Sequence, residues 1–509
     1  MLIDGGPLTP EQVVAVAERH EPVELAASVP ERMAPARSLV EEVIAEGRTV
    51  YGVNTGFGAL ANTRIGREEA EDLQVHLLRS HAAGVGAPLD DEIVRAMLLL
   101  RARTLSQGYS GVRPILVQRY IEFLNRDLLP VVPSQGSVGA SGDLAPFAHL
   151  ALPLIGEGFL KAGGTVRPAA EVLAEHGIEP IHLHAKEGLS LLNGTEGMLA
   201  QGILELARAE RLVASADLAC ALSIEALLGS ARPFRPEIHA LRPHPGQIAS
   251  AGHIAQLLEG SEIVASHRDD FTHAVQDAYS LRCAPQVHGA VRDALGFARD
   301  VFTREAGSVV DNPIVLPSTG DIVSGGNFHG QPLAIALDLM AIAVTELSSI
   351  SERRTDRLLD PHRSSGLPAF LAVNPGVDSG YMLTQYTAAA LVAENRVLAH
   401  PASVESIPTS GSQEDHVSMG WGAARKLWQV LDNARRVLAV EVLCAVRGVE
   451  LRAPLIPSAH TAAAMRAVRE VVPRPTGDRT PGVEIEAIAR LIGDGSLLAA
   501  TELGGASHK

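Results

Sequence analysis

The sequence predicts an all-α protein with a core of long helices, and two observations lead to this prediction. Hydrophobic residues make up 46% of the 509 residues, which is enough to fill a large core. Four long segments are rich in Ala, Leu, Val and Glu and are apolar on more than one face: 196–228, 330–359, 381–398 and 417–446. A helix that is apolar nearly all round must be buried in a bundle, often between subunits. The sequence therefore also favours an oligomer.

Shorter helices precede the long ones. Residues 9–12 (TPEQ) have the form of a helix start, with Thr9 as the N-cap, Pro10 in the first position and Gln12 closing a capping box. Further helices are predicted over 30–46, which Gly47 stops, over 90–107, which ends at Gly108, and over 113–126.

A soft boundary near residue 200 divides the chain into two predicted domains. The first, 1–198, is helical but rich in loops. The second, 199–509, contains the long-helix bundle and a C-terminal helical domain. The tail from 473 onwards is polar and Gly-rich at its end, so we expect it to be mobile.

The charge of the chain argues against two classes of partner. Lys and Arg total 43 and Asp and Glu total 59, which gives a net charge of −16. An acidic chain without a basic block is a poor candidate for binding nucleic acid or an anionic membrane surface. We therefore expect neither nucleic acid nor a membrane as a partner.

The cysteines and the N-terminus favour a cytoplasmic location. The three cysteines are far apart in the sequence and form no CxxC pair, so neither a disulfide framework nor a zinc ribbon is predicted. The first residues lack the basic and apolar regions of a signal peptide. The most apolar long stretch, 332–350, contains Asp338 and Glu346, which would be costly in the middle of a bilayer, so we interpret it as a buried helix.

The glycine-rich loop SQGSVGASGD at 134–143 is the most unusual segment. It lacks the Gly-Lys-Ser/Thr of a phosphate-binding loop, and its serines do not fit a nucleophile elbow. One interpretation is a tight turn before a helix whose N-cap is Asp143. The other is cyclisation: the Gly142 nitrogen attacks the Ala140 carbonyl carbon, water is lost, and loss of a second water from Ser141 leaves a methylidene-imidazolone. The flanking glycines permit the strained turn that this ring closure needs.

The segment GASGDLAP at 139–146 resembles the signature of the aromatic amino acid ammonia-lyases, the family that acts on histidine, phenylalanine and tyrosine and includes related 2,3-aminomutases. Five further segments resemble family motifs in the expected order: YGVNTGFG at 51–58, LLNGT at 191–195, QDAYSLR at 276–282, NFH at 327–329 and QEDH at 413–416. The resemblance spans about residues 45–450. It implies a long central helical bundle of the fumarase/aspartase-like superfamily type, a methylidene-imidazolone cofactor formed from Ala140, Ser141 and Gly142, and no metal or nucleotide.

Elimination of ammonia has two difficulties, a poor leaving group and a weakly acidic β-proton. An electrophile that captures the amine solves the first, and a positioned base solves the second. By resemblance, the base is Tyr51, and Tyr279 lies beside the cofactor and assists proton handling. A free phenol has a pKa of ~10, so we expect helix N-termini at the site to help Tyr51 towards the phenolate.

Four other residues are expected to bind the substrate by resemblance. Arg282 would hold the carboxylate, because its planar guanidinium can donate two parallel hydrogen bonds. Asn193 would hold the carboxylate or the amine. Gln276 and Phe328 would line the pocket, with Phe328 flanking the cofactor ring.

The pair Ser80-His81 and the carboxylate of Glu414 indicate which ring is recognised. Both resemble the family members that act on histidine, and an imidazole needs polar partners whereas a phenyl ring would leave a carboxylate desolvated. We therefore expect conversion of L-histidine to trans-urocanate and ammonia in histidine breakdown. The alternatives are a lyase or 2,3-aminomutase acting on tyrosine or phenylalanine, and a non-catalytic helical assembly protein that kept the fold.

The resemblance also implies a homotetramer in which several subunits share each active site. Tyr279, Arg282 and Phe328 would then come from chains other than the one that contributes Ser141. Two His-rich segments, 182–184 and 267–273, raise the question of a metal. Histidines two apart do not share a helix face, and no Cys is nearby, so metal binding is not favoured. The charged segment 352–357 (ERRTDR) is interpreted as a solvated or interfacial patch of ion pairs.

Overall fold

The computed structural model describes residues 1–56, 58, 65–66, 69–267 and 275–501. Within these residues the α-helices are, in order, α1 Pro10–Arg19, α2 Val29–Ala45, α3 Ala70–His81, α4 Asp91–Ser106, α5 Pro114–Asn125, α6 Leu144–Ala151, α7 Ala169–Glu175, α8 Glu187–Leu192, α9 Glu196–Ala226, α10 Pro236–Ala240, α11 Pro245–Leu257, α12 Glu262–Ala265, α13 Tyr279–Arg282, α14 Ala284–Glu305, α15 Gln331–Leu359, α16 Met382–Leu398, α17 Gly420–Glu450, α18 Ala459–Val471, α19 Pro481–Gly493 and α20 Ser496–Ala499. The predicted all-α class is confirmed.

The β-strands of the described residues are two to four residues long. They are β1 Leu2–Ile3, β2 Glu24–Leu25, β3 Val85–Pro88, β4 Leu129–Pro130, β5 Pro133–Gln135, β6 Phe159–Ala162, β7 Thr165–Pro168, β8 Ile314–Leu316 and β9 Asp321–Val323. The strands β1 and β2 pair in parallel, whereas β3 with β5, β4 with β6 and β7, and β8 with β9 form small antiparallel sheets. Strands this short hold neighbouring loop segments together and do not form a sheet core.

The chain forms two compact units. The first comprises residues 1–204, 299–337 and 401–425, and the second comprises 205–298, 338–400 and 426–509. All of these strands belong to the first unit. The division into domains at residues 198 and 199 stays a prediction.

The local helix signals in the sequence are confirmed. At the start of α1, the Thr9 side chain accepts a hydrogen bond from the Gln12 backbone, and the Gln12 side chain accepts one from the Thr9 backbone. The four longest runs form α9, α15, α16 and α17, within four residues of the predicted bounds. The tail also contains α19, because Ile485, Ile488 and Ile492 recur at helical spacing and are buried. Residues 502–509 lie outside the described residues.

Helix α15 is long and apolar enough to cross a membrane by length and composition, with a mean hydropathy of 1.8 over its most apolar window. However, 67% of that window is buried inside the protein, as in the core helix of a folded bundle. Asp338 in the same helix is buried and lies 3.4 Å from the Lys426 ammonium. One such helix is weak evidence for a membrane span.

Candidate active site

The loop before α6 has a backbone that few sequences could adopt. Gly139, Ser141 and Gly142 have φ angles of 75°, 51° and 79°. Positive φ is uncommon for a residue with a side chain, so Ser141 is held there by its surroundings. A Cβ on Gly142 would lie 1.9 Å from the carbonyl oxygen of Gly194, so only glycine fits at that position.

The 191–195 motif holds this loop in place. The Gly194 N–H donates to the Ser141 carbonyl at 3.3 Å, and the Asp143 N–H donates to the Gly194 carbonyl at 2.9 Å. Gly142 and Gly194 also form an isolated parallel bridge. Two motifs that are fifty residues apart in the sequence therefore meet at the Ala140–Ser141–Gly142 tripeptide.

Asp143 is the N-cap residue of α6, as predicted, but its side chain makes no cap bond to that helix. Its carboxylate instead accepts a hydrogen bond from the Met198 N–H at 2.7 Å, in the first turn of α9, and one from the Ser137 hydroxyl at 3.2 Å. Complete burial raises the pKa of Asp143 to about 7. Asp143 thus ties the start of α9 to the loop that contains Ser141.

A third segment packs on the loop just before α17 begins. The Met419 N–H donates to the Val138 carbonyl at 2.9 Å, and the Trp421 indole N–H donates to the Ser134 carbonyl at 2.9 Å. The starts of α6, α9 and α17 therefore all contact residues 134–143. Since a helix N-terminus carries partial positive charge, this arrangement makes the loop a favourable place for an anion.

The tripeptide fits the predicted cofactor. Cyclisation needs a tight turn, a small residue whose nitrogen attacks, and a serine that loses its hydroxyl. The positive φ values at 141 and 142 supply the turn, and the Gly194 carbonyl leaves no room for a larger residue at 142. Ala140 and Ser141 are half-buried, so the product would be shielded yet reachable.

Tyr51, His81 and Glu414 are coupled electrostatically within the first unit. Burial raises the pKa of Tyr51, a backbone hydrogen bond with Gly58 lowers it, and the negative charge of Glu414 raises it further, so the net pKa lies above the usual value. The same negative charge acts on His81, where it favours the protonated ring. The single chain therefore does not show the lowering of the Tyr51 pKa that helix N-termini at the site were expected to produce. Phe57 of this motif lies outside the described residues.

His81 and Glu414 are each oriented by local contacts. The Nδ1 of His81 lies 3.0 Å from the Leu77 carbonyl oxygen, which assigns the proton to Nδ1 and leaves Nε2 as the acceptor nitrogen. Burial lowers the pKa of His81 more than the Leu77 hydrogen bond and the charge of Glu414 raise it, so the neutral ring is favoured. The Thr409 hydroxyl donates to the Glu414 carboxylate at 2.8 Å and fixes its rotamer.

Asn193 is buried directly after α8, and both its side chain and its backbone are hydrogen-bonded. Its side-chain amide donates to the Asn312 carbonyl at 2.8 Å, and its backbone carbonyl accepts from the Arg101 guanidinium at 2.6 Å. Arg101 also pairs with Glu196 at 2.9 Å, and both side chains are buried. We did not predict Arg101 from the sequence, although an arginine inside an apolar helix such as α4 was the available signal.

Phe328 lies in a turn before α15 and is half-buried. The next residue, His329, has its ring stacked 6.0 Å from that of His416, and its Nε2 lies 3.2 Å from the His416 carbonyl oxygen. The NFH and QEDH motifs are therefore neighbours in the first unit. Of the predicted site residues, this unit brings together the cofactor tripeptide with Asn193, and Glu414 with Tyr51 and His81.

The remaining site residues, Gln276, Tyr279 and Arg282, belong to the second unit. The Arg282 guanidinium lies 4.6 Å from the centre of the Tyr279 ring, and its Nε donates to the Asp277 carbonyl at 2.8 Å. Gln276 is exposed, and Tyr279 is 71% exposed. This segment therefore presents its aromatic and amide side chains outwards from the unit.

A buried network of ionic side chains contacts the 276–282 segment through its backbone. The Arg354 guanidinium donates to the Ser280 carbonyl at 3.3 Å and pairs with Glu441 at 2.5 Å. The His288 ring lies 3.3 Å from Arg354 and 2.8 Å from the Asp217 carboxylate. The interpretation of 352–357 as a solvated or interfacial patch was wrong for Arg354, which is fully buried because α15 turns this residue towards α17.

This network predicts a loss of stability in acid. Burial would raise the pKa of Asp217, but hydrogen bonds from His253 and His288 and the charge of Arg292 outweigh it and hold the pKa well below its usual value. Burial lowers the pKa of His288. Stability from both groups is present above their unfolded pKa values, ~6.5 for His and ~3.9 for Asp, and is lost as the pH falls.

The urea midpoint of unfolding should therefore decrease between about pH 7 and pH 4. Asp217→Asn should lower the midpoint at neutral pH, because the amide cannot balance the charge of Arg292. It should also steepen the decrease, because the Asp217 carboxylate raises the pKa of His288 and the amide does not. A wild-type midpoint that stays constant over this range would contradict the prediction.

The comparisons with known proteins agree with this geometry. A family model described as aromatic amino acid lyase matches residues 8–470. The histidine ammonia-lyase of Gloeobacter violaceus is 53% identical over 502 residues, which cover 99% of this chain and 97% of that protein. The structure of histidine ammonia-lyase from Trypanosoma cruzi has a TM-score of 0.91 at 42% identity and covers 99% of this chain and 95% of its own.

The tyrosine aminomutase from Streptomyces globisporus has a TM-score of 0.94 at 40% identity, and 98% of each chain is covered. Similarity thus extends over nearly the whole chain for proteins with different named activities. Together with the ordered motifs and the family model, it shows that the chain belongs to the aromatic amino acid lyase family.

Proposed function

We propose that this protein eliminates ammonia from L-histidine to give trans-urocanate, with a methylidene-imidazolone formed from Ala140, Ser141 and Gly142. The observation that carries the substrate assignment is the electrostatic coupling of the Glu414 carboxylate to His81, both of which lie in the unit that holds the tripeptide. The relatives at 53% and 42% identity over nearly the whole chain are named histidine ammonia-lyases, which supports the same substrate.

The polar side chains of His81 and Glu414 suit the imidazole ring of histidine. A neutral imidazole has one N–H donor and one acceptor nitrogen, and Glu414 can accept the hydrogen bond from that N–H. The hydroxyl of Thr409 already holds the Glu414 carboxylate in place, so its orientation does not have to be fixed on binding. A phenyl ring would desolvate this carboxylate without compensation.

The residues of this chain divide the chemistry between them. When formed, the methylidene-imidazolone supplies an electrophilic carbon that turns the amine into a leaving group. Tyr51 removes the β-proton as the general base. Asn193 orients the amine or the carboxylate, because its amide is fixed by the Asn312 carbonyl. Arg282 holds the substrate carboxylate through paired N–H donors, and Tyr279 assists proton transfer.

The competing activities share this fold, so the TM-score does not separate them. The aminomutase structure at 40% identity superposes as closely as the histidine ammonia-lyase structure does. Incubation with L-histidine, L-tyrosine and L-phenylalanine in turn tests the substrate. Urocanate should form faster than coumarate, cinnamate or any β-amino acid, and the reverse order would overturn the proposal.

We also propose a homotetramer with shared sites. Helix α16 exposes Leu383, Tyr386 and Val397 at positions that lie on one face, and α15 exposes Ile335 and Ile342 one heptad apart. Tyr279, with 71% of its surface exposed in one chain, would be covered by a neighbouring subunit. Light scattering should give four times the mass of the chain, and a stable, active monomer would contradict shared sites.

We also propose a cytoplasmic location, on the basis of the cysteines and the net charge. Cys220, Cys283 and Cys444 are all free thiols, and two of them are buried. Free thiols persist in a reducing compartment. The net charge of −16 disfavours nucleic acid and anionic membranes as partners. Cell fractionation tests the location, since the activity should remain with the soluble fraction.

Replacing Glu414 by glutamine should change both substrate affinity and pH dependence. Loss of a charge-assisted hydrogen bond worth about 1.5–3 kcal/mol should raise KM for histidine roughly tenfold to a hundredfold. Since Glu414 raises the pKa of Tyr51, its removal lowers that pKa. The rising limb of kcat/KM against pH should therefore move to lower pH in Glu414→Gln.

The matched control is Asp415→Asn, which removes the neighbouring exposed carboxylate. It should leave both KM and the position of the limb close to those of the wild type. A limb that does not move in Glu414→Gln would show that Glu414 and Tyr51 are not coupled during the reaction.

A further inference from the structure

Three side chains of the first unit form a cluster that the reaction does not use. The carboxylate of Glu71 and one ring nitrogen each of His182 and His184 all lie within 4.8 Å of one another. The Glu71 carboxylate lies 3.9 Å from the His182 Nδ1. Glu71 lies in the first turn of α3, whereas both histidines precede α8.

The backbone explains why two histidines at this spacing converge. The sequence argument against a metal assumed a helix, in which residues two apart point in different directions. Residues 181–184 are not helical, so the helical spacing does not apply to them. The two rings accordingly meet edge to face with their centres 6.1 Å apart.

The segment is held in this shape by a separate ion pair. Arg113 pairs with the buried Glu187 at 2.7 Å. The same Arg113 donates to the His182 carbonyl at 2.6 Å, and Glu187 accepts from the His184 N–H at 2.8 Å. Both histidine backbones are therefore fixed before any ligand binds, so an ion would need to order only three side chains.

We propose that Glu71, His182 and His184 bind a divalent transition-metal ion of the zinc type. Two imidazole nitrogens and one carboxylate oxygen form a donor set that suits Zn²⁺, and water would complete the coordination. The positive charge of Arg113 opposes binding, but its ion pair with Glu187 compensates that charge. The His182 and Glu71 side chains are 75% and 49% exposed, so an ion can reach them from solvent.

A bound ion would join the first turn of α3 to the segment before α8. α3 ends at His81, and α8 is followed directly by Asn193. Because the ion would bind the folded chain and not the separated elements, it should raise the melting temperature. This expectation does not depend on which amino acid the enzyme uses.

The test uses the full-length protein after treatment with a chelator. Titration with Co²⁺, followed by its visible absorption, should show one site per chain, and Zn²⁺ should displace the Co²⁺ and raise the melting temperature. The double variant His182→Ala/His184→Ala should lose this site, and Glu71→Gln should weaken Zn²⁺ binding at least about tenfold.

Two exposed neighbours provide controls for nonspecific binding, His176→Ala for the histidines and Asp72→Asn for the carboxylate. Both should retain the wild-type stoichiometry and thermal shift. The melting temperatures of all variants without metal show whether they are folded. The proposal is overturned if the wild type binds no Co²⁺ at a defined site, or if the double variant, folded without metal, binds as the wild type does.

Discussion

Replacing Ser141 by alanine should abolish the activity and leave the protein folded. Alanine has no hydroxyl to lose, so the exocyclic methylene cannot form and the amine keeps its poor leaving-group character. We expect kcat/KM for histidine to fall about a thousandfold or more, which corresponds to about 4 kcal/mol of transition-state free energy. Production of urocanate from histidine measures the loss.

The structure indicates why the fold should tolerate this change. Ser141 is held through its carbonyl oxygen, which accepts from the Gly194 N–H and is retained in alanine. Its φ of 51° is equally unfavourable for both residues. The control Ser134→Ala changes another serine of the same loop, whose carbonyl bond to Trp421 also survives. This control should keep the wild-type activity.

Intact-mass measurement separates the competing explanations. The wild-type peptide around Ser141 should be lighter than its sequence by two water molecules, and the Ser141→Ala peptide should not show the loss of both. A wild-type peptide of full mass would support the non-catalytic assembly protein. A melting temperature that falls by many degrees in Ser141→Ala would show that this serine is structural.

Local interactions could be predicted from the sequence because they involve residues close together in the chain. The capping box at α1 uses Thr9 and Gln12, three positions apart, and it forms as expected. The long helices α9, α15, α16 and α17 also follow from composition and the lack of interior breaks. Their burial is a property of the segment as a whole, so single residues need not be placed correctly.

Contacts between distant residues could not be predicted in this way. Asp143 has the position of a helix cap, yet its carboxylate accepts from Met198, 55 residues later. Arg354 lies in a segment with the composition of a surface patch, but it pairs with Glu441, 87 residues away. In both cases a buried ionisable side chain finds a partner that only the tertiary fold provides.

The direction of the Tyr51 pKa shift also required the structure. The family resemblance gave Tyr51 a role as base, and the starts of α6, α9 and α17 do meet residues 134–143. Burial of the phenol and the charge of Glu414 nevertheless raise its pKa in the single chain. The Glu414 carboxylate suits the imidazole of the substrate. Its negative charge, however, makes Tyr51 harder to deprotonate, so the same group favours substrate recognition and opposes activation of the base.

Tyr51→Phe should reduce kcat about a hundredfold to ten-thousandfold, the usual contribution of a general base. The electrophile and the substrate-binding residues remain, so KM should change much less than kcat. Because Tyr51 must lose its proton to act and its pKa is raised, wild-type activity should increase towards alkaline pH. The variant should lose this increase, and steady-state rates over a pH series measure it.

Tyr120→Phe is a matched control for the lost hydroxyl. Tyr120 is fully buried in the same unit, and among the described residues its hydroxyl has no hydrogen-bond partner. Removing that hydroxyl should leave both rate and pH profile unchanged. Tyr51→Phe loses the hydrogen bond with Gly58, worth about 1 kcal/mol, so a small shift in melting temperature is expected. If Tyr51→Phe keeps the alkaline increase at a reduced rate, another group removes the β-proton, and Tyr51 serves only to position the substrate.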